Sequence, residues 1–222
     1  WRLEIFDDTY SGTVILKTGR VVINRKKVKF MDVIRGMSLD IFLDAEKDDT
    51  TYDRFISTIG DKKFPVTLKK NNTETIFNGF LDVEGIIESF VQDRWIVKLT
   101  AIDGLGYLEN TLYLDSNANP YIGKETELNI LARCLQLTGQ GMNFRLFQDR
   151  LVYRTDPGGF GLTAKPIITT LINQERFRNT DQDQSPFNVK KVIEGVLVKY
   201  GYTVWQQNNY WYVARIRDYW GQ

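Results

Sequence analysis

The chain has 222 residues, 42% of them hydrophobic, and its 29 basic and 28 acidic residues leave a formal net charge of +1. This length accommodates two domains, and the near-neutral charge disfavours a general affinity for nucleic acid or for an anionic membrane. Histidine is absent and Cys134 is the only cysteine, which excludes histidine-based nucleophile pairs, imidazole metal ligands and an internal disulfide. No apolar run approaches the ~20 residues that span a bilayer, so we expect no membrane span.

The first half alternates apolar and polar residues with a period of two, which predicts half-buried antiparallel strands. Between two of these strands, a helical pattern has Thr50 as its predicted cap and Gly60 as its stop. The apolar residues at i, i+3, i+4 and i+7 of this pattern are Tyr52, Phe55, Ile56 and Ile59. We therefore predict an antiparallel β-barrel or meander with one short helix. The predicted strands are WRLEIF (1–6), GMSLDIFL (36–43), KFPVTLKK (63–70), TIFNGFLDVEGI (75–86) and WIVKLTAID (95–103).

The second half has a different pattern, and the turn-rich segment SNANP (116–120) predicts a domain boundary. We expect a β-rich domain over residues 1–117 and an α+β domain over residues 118–222, so the fold class is α+β. Each half of the second domain reads as a helix followed by a β-hairpin. This similarity is either a true repeat or a coincidence, because a helix followed by a hairpin is a common arrangement.

The first predicted helix of this domain begins near Thr126 and ends at Gly139, followed by the strands MNFRLF (142–147) and LVYRT (151–155). The second begins with Ser185 as N-cap and Pro186 at the first helical position. It ends at Gly201, and a hairpin that turns at Asn208–Asn209 follows it. Its predicted buried face consists of Val189, Val192, Ile193, Val196, Leu197 and Tyr200.

Several acidic segments are candidate sites. The turn Asp103–Gly106 lacks the third small residue and the long helix of a dinucleotide fingerprint, so it predicts a corner between strands. Asp82 and Glu84 stand two apart on a strand, as a glycosidase pair would, although alternation alone places polar residues on one face. A cluster of five acids lacks the spacing of a calcium loop and reads as a solvated loop before a helix. Its members are Asp44, Glu46, Asp48, Asp49 and Asp53.

The basic residues form two groups, Lys190–Lys191 and a hairpin that we interpret as a solvated sheet edge rather than a nucleic-acid surface. The hairpin contains Arg20, Arg25, Lys26, Lys27 and Lys29. Near the C-terminus, an aromatic run supplies core rings, a protein interface or a sugar-stacking platform. Within it, Trp205, Trp211 and Tyr212 are the candidate interface residues, and we name no catalytic, metal or cofactor-binding residue.

The order of features in the first half resembles the amino-terminal portion of bacteriophage tail and baseplate hub proteins, especially those of phages and prophages of gut Bacteroidetes. The matching pattern is an apolar strand, an acidic loop, a small helix, a strand, F-x-G-x-L at Phe77–Leu81, and A-x-D-G-L-x-x-L at Ala101–Leu108. The helix and hairpin of residues 185–216 are similar to a module of the same family. At the hairpin turn the family often has Asp-Gly, whereas this chain has Asn208–Asn209, and Asn also adopts positive φ.

This resemblance implies a structural role without catalytic residues or cofactors. Hub proteins carry β-barrel domains that assemble as a ring, commonly a trimer, between the tail tube and the spike or fibre. The implied partners are further copies of the chain and other tail or baseplate proteins, with no nucleic acid and no small-molecule ligand. The implied location is the virion, or the host cytoplasm before assembly. The alternatives are a carbohydrate-binding or cell-surface adhesion module and a carboxylate-based glycoside hydrolase.

Overall fold

The computed structural model describes residues 1–7, 18–25, 32–46, 53–57, 60, 62–88, 94–146, 166–179 and 185–215. Contacts divide the chain into two compact units. The first unit comprises Trp1–Lys27, Gly36–Gly104 and Gln206–Asn209, and the second comprises Val28–Arg35, Leu105–Trp205 and Tyr210–Gln222. A domain boundary after residue 117 stays a prediction.

The described elements are mostly strands with a few helices, so the fold is mixed α+β, as the sequence predicted. The strands are β1 (Arg2–Ile5), β2 (Thr18–Arg25), β3 (Ile34–Arg35), β4 (Met37–Glu46), β5 (Pro65–Lys70), β6 (Glu74–Glu88), β7 (Arg94–Ile102), β8 (Lys124–Thr126), β9 (Asn143–Leu146), β10 (Leu171–Asn173), β11 (Tyr202–Gln207) and β12 (Tyr210–Arg215). The helices are α1 (Asp53–Ser57), α2 (Glu127–Gln136), α3 (Pro166–Thr169) and α4 (Val189–Leu197).

Six strands of the first unit form one curled antiparallel sheet in the order β1-β5-β6-β7-β4-β2. Alternation explains its core, because residues two apart on a strand share a face. Leu39, Ile41 and Leu99 are completely buried on the inner face, and the polar residues between them point outward. The sheet is a half-barrel, and closure into a full barrel stays a prediction.

Two contacts shape this sheet. At Gly79 a Cβ atom would lie 2.4 Å from the carbonyl oxygen of Ile102, so β6 and β7 approach too closely for any side chain at this position. Helix α1 places Phe55 edge-on against Phe64, with ring centroids 5.1 Å apart. The predicted cap of this helix, Thr50, lies outside the described residues.

The tip of the β11–β12 hairpin belongs to the first unit and completes the edge of β6. Strand β7 ends opposite Phe80, so it does not reach Asn78. There the Gln206 side chain takes the place of a strand: the Asn78 N–H donates to Gln206 Oε1 at 2.9 Å, and Gln206 Nε2 donates to the Asn78 carbonyl at 2.6 Å. The predicted turn at Asn208–Asn209 is confirmed, with φ of 48° and 61° at the two residues.

The second unit contains a four-stranded sheet in the order β3-β11-β12-β9 and packs it against α2 and α4. The pairings of β3 with β11 and of β9 with β12 are parallel. The predicted partner of β9, the segment 151–155, lies outside the described residues. The hypothesis of a repeated helix–hairpin unit therefore stays a prediction.

The predicted ends of the two long helices are confirmed in part. Helix α2 ends at Gln136, three residues before the predicted stop at Gly139, which has a φ of 83°. Thr126 caps α2, because its hydroxyl accepts the Asn129 N–H at 3.3 Å. The predicted cap of α4, Ser185, is wrong: Asn188 is the N-cap, and its side chain accepts the Lys191 N–H at 2.8 Å. The chain stays extended up to Asn188 because the Phe187 N–H donates to the Phe177 carbonyl.

Beyond α4, one turn of 3-10 helix ends at Gly201, which has the predicted left-handed conformation with φ of 63°. The buried face of α4 is confirmed at five of its six predicted positions. These five are 1% exposed or less, whereas Tyr200 is half-buried. They are Val189, Val192, Ile193, Val196 and Leu197.

Candidate interaction surfaces

One face of the sheet in the second unit carries an aromatic ladder that ends in an arginine. Trp205 in β11 stacks on Tyr212 in β12, with ring centroids 5.6 Å apart and an interplanar angle of 23°. Tyr210 meets Tyr212 edge-on at 6.4 Å, and the guanidinium of Arg145 lies 3.9 Å from the centroid of the Tyr210 ring. A hydrogen bond with Tyr210 raises the pKa of Arg145, so the end of the ladder carries a permanent positive charge.

The aromatic ladder is accessible mainly at its arginine end. Arg145 is exposed and Tyr212 is half-buried, whereas Trp205 is 5% exposed. Trp211 is unavailable to a partner in the folded chain, because strand alternation turns its ring to the other face, where it is completely buried in the core. An interface role for Trp205 and Tyr212 stays a prediction.

Strands β8 and β10 form a separate two-stranded antiparallel ribbon, which a polar network holds from its inner side. The Arg133 guanidinium donates to Gln174 Oε1 at 3.0 Å and to the Tyr113 hydroxyl at 3.1 Å, and it lies 3.5 Å from a carboxylate oxygen of Glu125. Because Glu125 belongs to β8 and Gln174 directly follows β10, this one side chain on α2 fixes both strands of the ribbon.

The outer face of this ribbon exposes two large apolar side chains beside cationic ones. Ile122, just before β8, is 71% exposed, and Leu171 in β10 is 59% exposed. Lys124 is exposed between them, and Arg176 is exposed directly after the ribbon. We call Ile122, Lys124, Leu171 and Arg176 the ribbon surface. Because Ile172 of β10 is buried in the core, the ribbon exposes large apolar side chains in addition to the one that it buries.

The outer face of the sheet in the first unit is polar in its middle, and its charges there are paired. The carboxylate of Asp40 accepts a hydrogen bond from Asn24 Nδ2 at 2.8 Å and lies 3.2 Å from Lys98 Nζ. On the neighbouring strand, the Arg20 guanidinium lies 4.6 Å from the centroid of the Phe42 ring.

Beside this polar region the same face carries a second apolar area. Ile87 in β6 is 57% exposed and Ile96 in β7 is 53% exposed. Ile96 lies opposite Asp44 in β4, and Glu84 lies in the bulge that precedes Ile87. Both carboxylates are exposed, and we call Asp44, Glu84, Ile87 and Ile96 the sheet patch.

The exposed apolar residues of the two surfaces were not predicted from the sequence, although the pattern of β7 contains a signal for one of them. These residues are Ile122, Leu171, Ile87 and Ile96. In the strand 95–103, the apolar residues Trp95, Val97 and Leu99 occupy the inward phase, so Ile96 stands at a position where alternation expects a polar residue. An apolar residue in the outward phase of a strand indicates a surface that another molecule covers.

The other acidic candidates, Asp82, Glu84 and Asp103, lie at a strand bulge or at a corner of the fold. The bulge between Asp82 and Ile87 interrupts regular alternation, so Asp82 and Glu84 do not occupy one regular face as a pair. Asp103 lies at a corner, as predicted: its carboxylate accepts the Met37 N–H at 2.6 Å, and its own N–H donates to the Met37 carbonyl at 3.0 Å.

Of the predicted acidic loop, Asp44, Glu46 and Asp53 are exposed, whereas Asp48 and Asp49 lie outside the described residues. Within the described ranges, no three Asp, Glu or Cys side chains are grouped so that they could hold a metal ion.

Of the basic candidates, Lys190 and Lys191 contact side chains of the same chain, as does Arg20. Lys190 Nζ lies 2.8 Å from a carboxylate oxygen of Glu109, and Lys191 Nζ lies 3.6 Å from the centroid of the Phe187 ring. Arg25 is exposed at the end of β2, and the lysines at positions 26, 27 and 29 lie outside the described residues. Among the helices that the structure describes, none has the length and apolar character to cross a membrane.

No protein-family model and no curated protein matches the chain. Two solved structures are similar to it: prophage tail protein gp18 from Listeria monocytogenes EGD-e, with a TM-score of 0.50, and the 43 kDa tail protein of prophage MuSo2 from Shewanella oneidensis, with a TM-score of 0.51. Each match covers 96% of this chain at 11% identity, and it covers 50% and 54% of the respective neighbour. The chain thus spans about half the length of these proteins, and it shares their fold.

Proposed function

We propose that this chain is a structural protein of a phage or prophage tail, hub-like, which assembles as a ring between the tail tube and the spike or fibre. The observation that carries the proposal is the fold shared with two prophage tail proteins over 96% of the chain. The partners are further copies of the chain and neighbouring tail proteins, and the location is the virion.

The use of polar side chains in the described residues supports a structural role. Asp40, Asp103 and Arg133 are each engaged in hydrogen bonds or ion pairs that join separate segments of the fold. The chain also lacks histidine, the usual general base near neutral pH. The two exposed apolar areas give further support, because such areas indicate contact with other proteins.

The mass of the protein in solution tests the proposal. Light scattering and sedimentation velocity on the purified chain should detect an oligomer of defined size, and negative-stain electron microscopy should show closed rings. A chain that stays monomeric at the highest attainable concentration, alone and when mixed with the tail proteins encoded beside it, would contradict the proposal.

The second candidate is a carbohydrate-binding or adhesion module, which the accessible end of the aromatic ladder favours. Half-buried tyrosine rings beside an arginine offer both stacking and hydrogen bonds to a sugar. Titration with oligosaccharides, followed by tryptophan fluorescence, tests this reading through Trp205, which stacks on Tyr212. A saturable signal that Tyr212→Ala abolishes would favour adhesion over assembly.

A further inference from the structure

We propose that copies of this chain contact one another through two different surfaces, the sheet patch of one copy and the ribbon surface of the next. The inference rests on the proposed ring function and names the residues that join the subunits.

Both surfaces expose large apolar side chains at positions that the fold would otherwise fill with polar ones. Ile87 and Ile96 stand on the outward face of an antiparallel sheet, and Leu171 stands on the outward face of the ribbon. Each is more than 50% exposed in the single chain. A contact between copies that covers them removes this apolar area from water, which is the main favourable contribution to association.

The charges around the two surfaces are opposite in sign. Asp44 and Glu84 are the charged members of the sheet patch. Of the cations on the same face, Lys98 is paired with Asp40, and Arg20 lies over the ring of Phe42, two residues from Asp44 on β4. Two carboxylates against the one cation Arg20 leave this region negative.

On the ribbon surface, Lys124 and Arg176 are exposed. The neighbouring acid, Glu175, accepts a hydrogen bond from Asn173 Nδ2 at 3.1 Å. Two cations against one acid leave this surface positive. A negative apolar area and a positive apolar area are complementary, and such complementarity orients partners and disfavours contact between two like surfaces.

The structure also holds each surface in place before any contact forms. The ribbon is fixed through Arg133, which bonds Gln174 and pairs with Glu125. The sheet patch lies on β4, β6 and β7, the central strands of the six-stranded sheet. Surfaces that are already ordered lose little conformational entropy when they associate.

Contact through two different surfaces has a consequence for symmetry. A surface that pairs with itself gives a closed dimer, whereas two unlike surfaces give a head-to-tail contact that repeats from copy to copy. Such a contact closes into a ring when the rotation between copies allows it. The complementary charges of the sheet patch and the ribbon surface therefore favour a ring over a twofold dimer.

Charge reversal tests the pairing. Lys124→Glu gives the ribbon surface the sign of the sheet patch, and Asp44→Lys does the converse. Each single variant should weaken self-association at least tenfold by sedimentation velocity, because like charges then face each other. A chain that carries both reversals should recover association, because the two surfaces are complementary again with exchanged signs.

A pair of substitutions at exposed apolar residues, one inside the ribbon surface and one outside both surfaces, provides the matched control. Leu171→Ser should also weaken association, whereas Val198→Ser, at a residue 56% exposed but outside both surfaces, should leave it unchanged. All four positions are exposed, and circular dichroism verifies that each variant keeps the fold.

The outcomes separate this inference from the proposed function. A wild-type chain that stays monomeric overturns both. Wild-type rings that persist in both single reversals, or a double reversal that stays dissociated, overturn the pairing of these surfaces and leave the ring function standing.

Discussion

Ile193 provides the most direct test of how the second unit is held together. Five residues of α4 face the core of this unit, and Ile193 is completely buried among them. Ile193→Ala removes about three methyl or methylene groups at ~0.8 kcal/mol each, or ~2.4 kcal/mol of transfer free energy. A partly relaxed cavity raises the expected loss of unfolding free energy to about 3–4 kcal/mol.

Native-state hydrogen exchange, read by mass spectrometry on peptides that cover α4, measures this loss within the second unit. The control is Val198→Ala, just beyond α4 at a residue 56% exposed, which should change the unfolding free energy by less than about 0.5 kcal/mol. A loss below about 1 kcal/mol in Ile193→Ala, or equal losses in the two variants, would refute the assignment of α4 as a core helix.

Three further outcomes are expected. Gln206→Leu should lower the unfolding free energy by about 1–3 kcal/mol in urea titration, because it removes both hydrogen bonds to the Asn78 backbone, and an unchanged midpoint would argue against the contact. Cys134 is completely buried, so its thiol should react with Ellman's reagent only at the rate of unfolding, and fast stoichiometric labelling of the native chain would contradict this burial. Burial raises the pKa values of Cys134 and Tyr113 above their ordinary 9.0 and 10.0, so the unfolding free energy should fall as pH rises beyond about 9; a constant value between pH 8 and pH 10.5 would count against it.

Local patterns predicted the elements whose stability is decided locally. Alternation identified strands β4 and β7 because each buries one face against the same core, and helical spacing identified the buried face of α4. The turn at Asn208–Asn209 and the stop at Gly201 followed from the few residues that adopt positive φ without strain.

Features that depend on distant parts of the chain were not predictable in this way. Ser185 and Asn188 are both good N-cap residues, and the choice between them depends on a backbone hydrogen bond from Phe187 to Phe177. The parallel pairing of β9 with β12 likewise joins segments more than 60 residues apart in sequence. Of the candidate surfaces, the sequence indicated the aromatic ladder, whereas the role of Arg133 beneath the ribbon required the three-dimensional contacts.

The bond between Gln206 and Asn78 has a consequence for alignment. A neighbouring strand reads a whole row of backbone groups and tolerates a shift by two residues, because the row repeats with that period. The side-chain amide of Gln206, in contrast, donates to the carbonyl and accepts from the N–H of one residue, so its two hydrogen bonds form at one position only. The two hydrogen bonds therefore fix the hairpin tip at Asn78. A displacement of the tip along β6 in either direction breaks both of them at once.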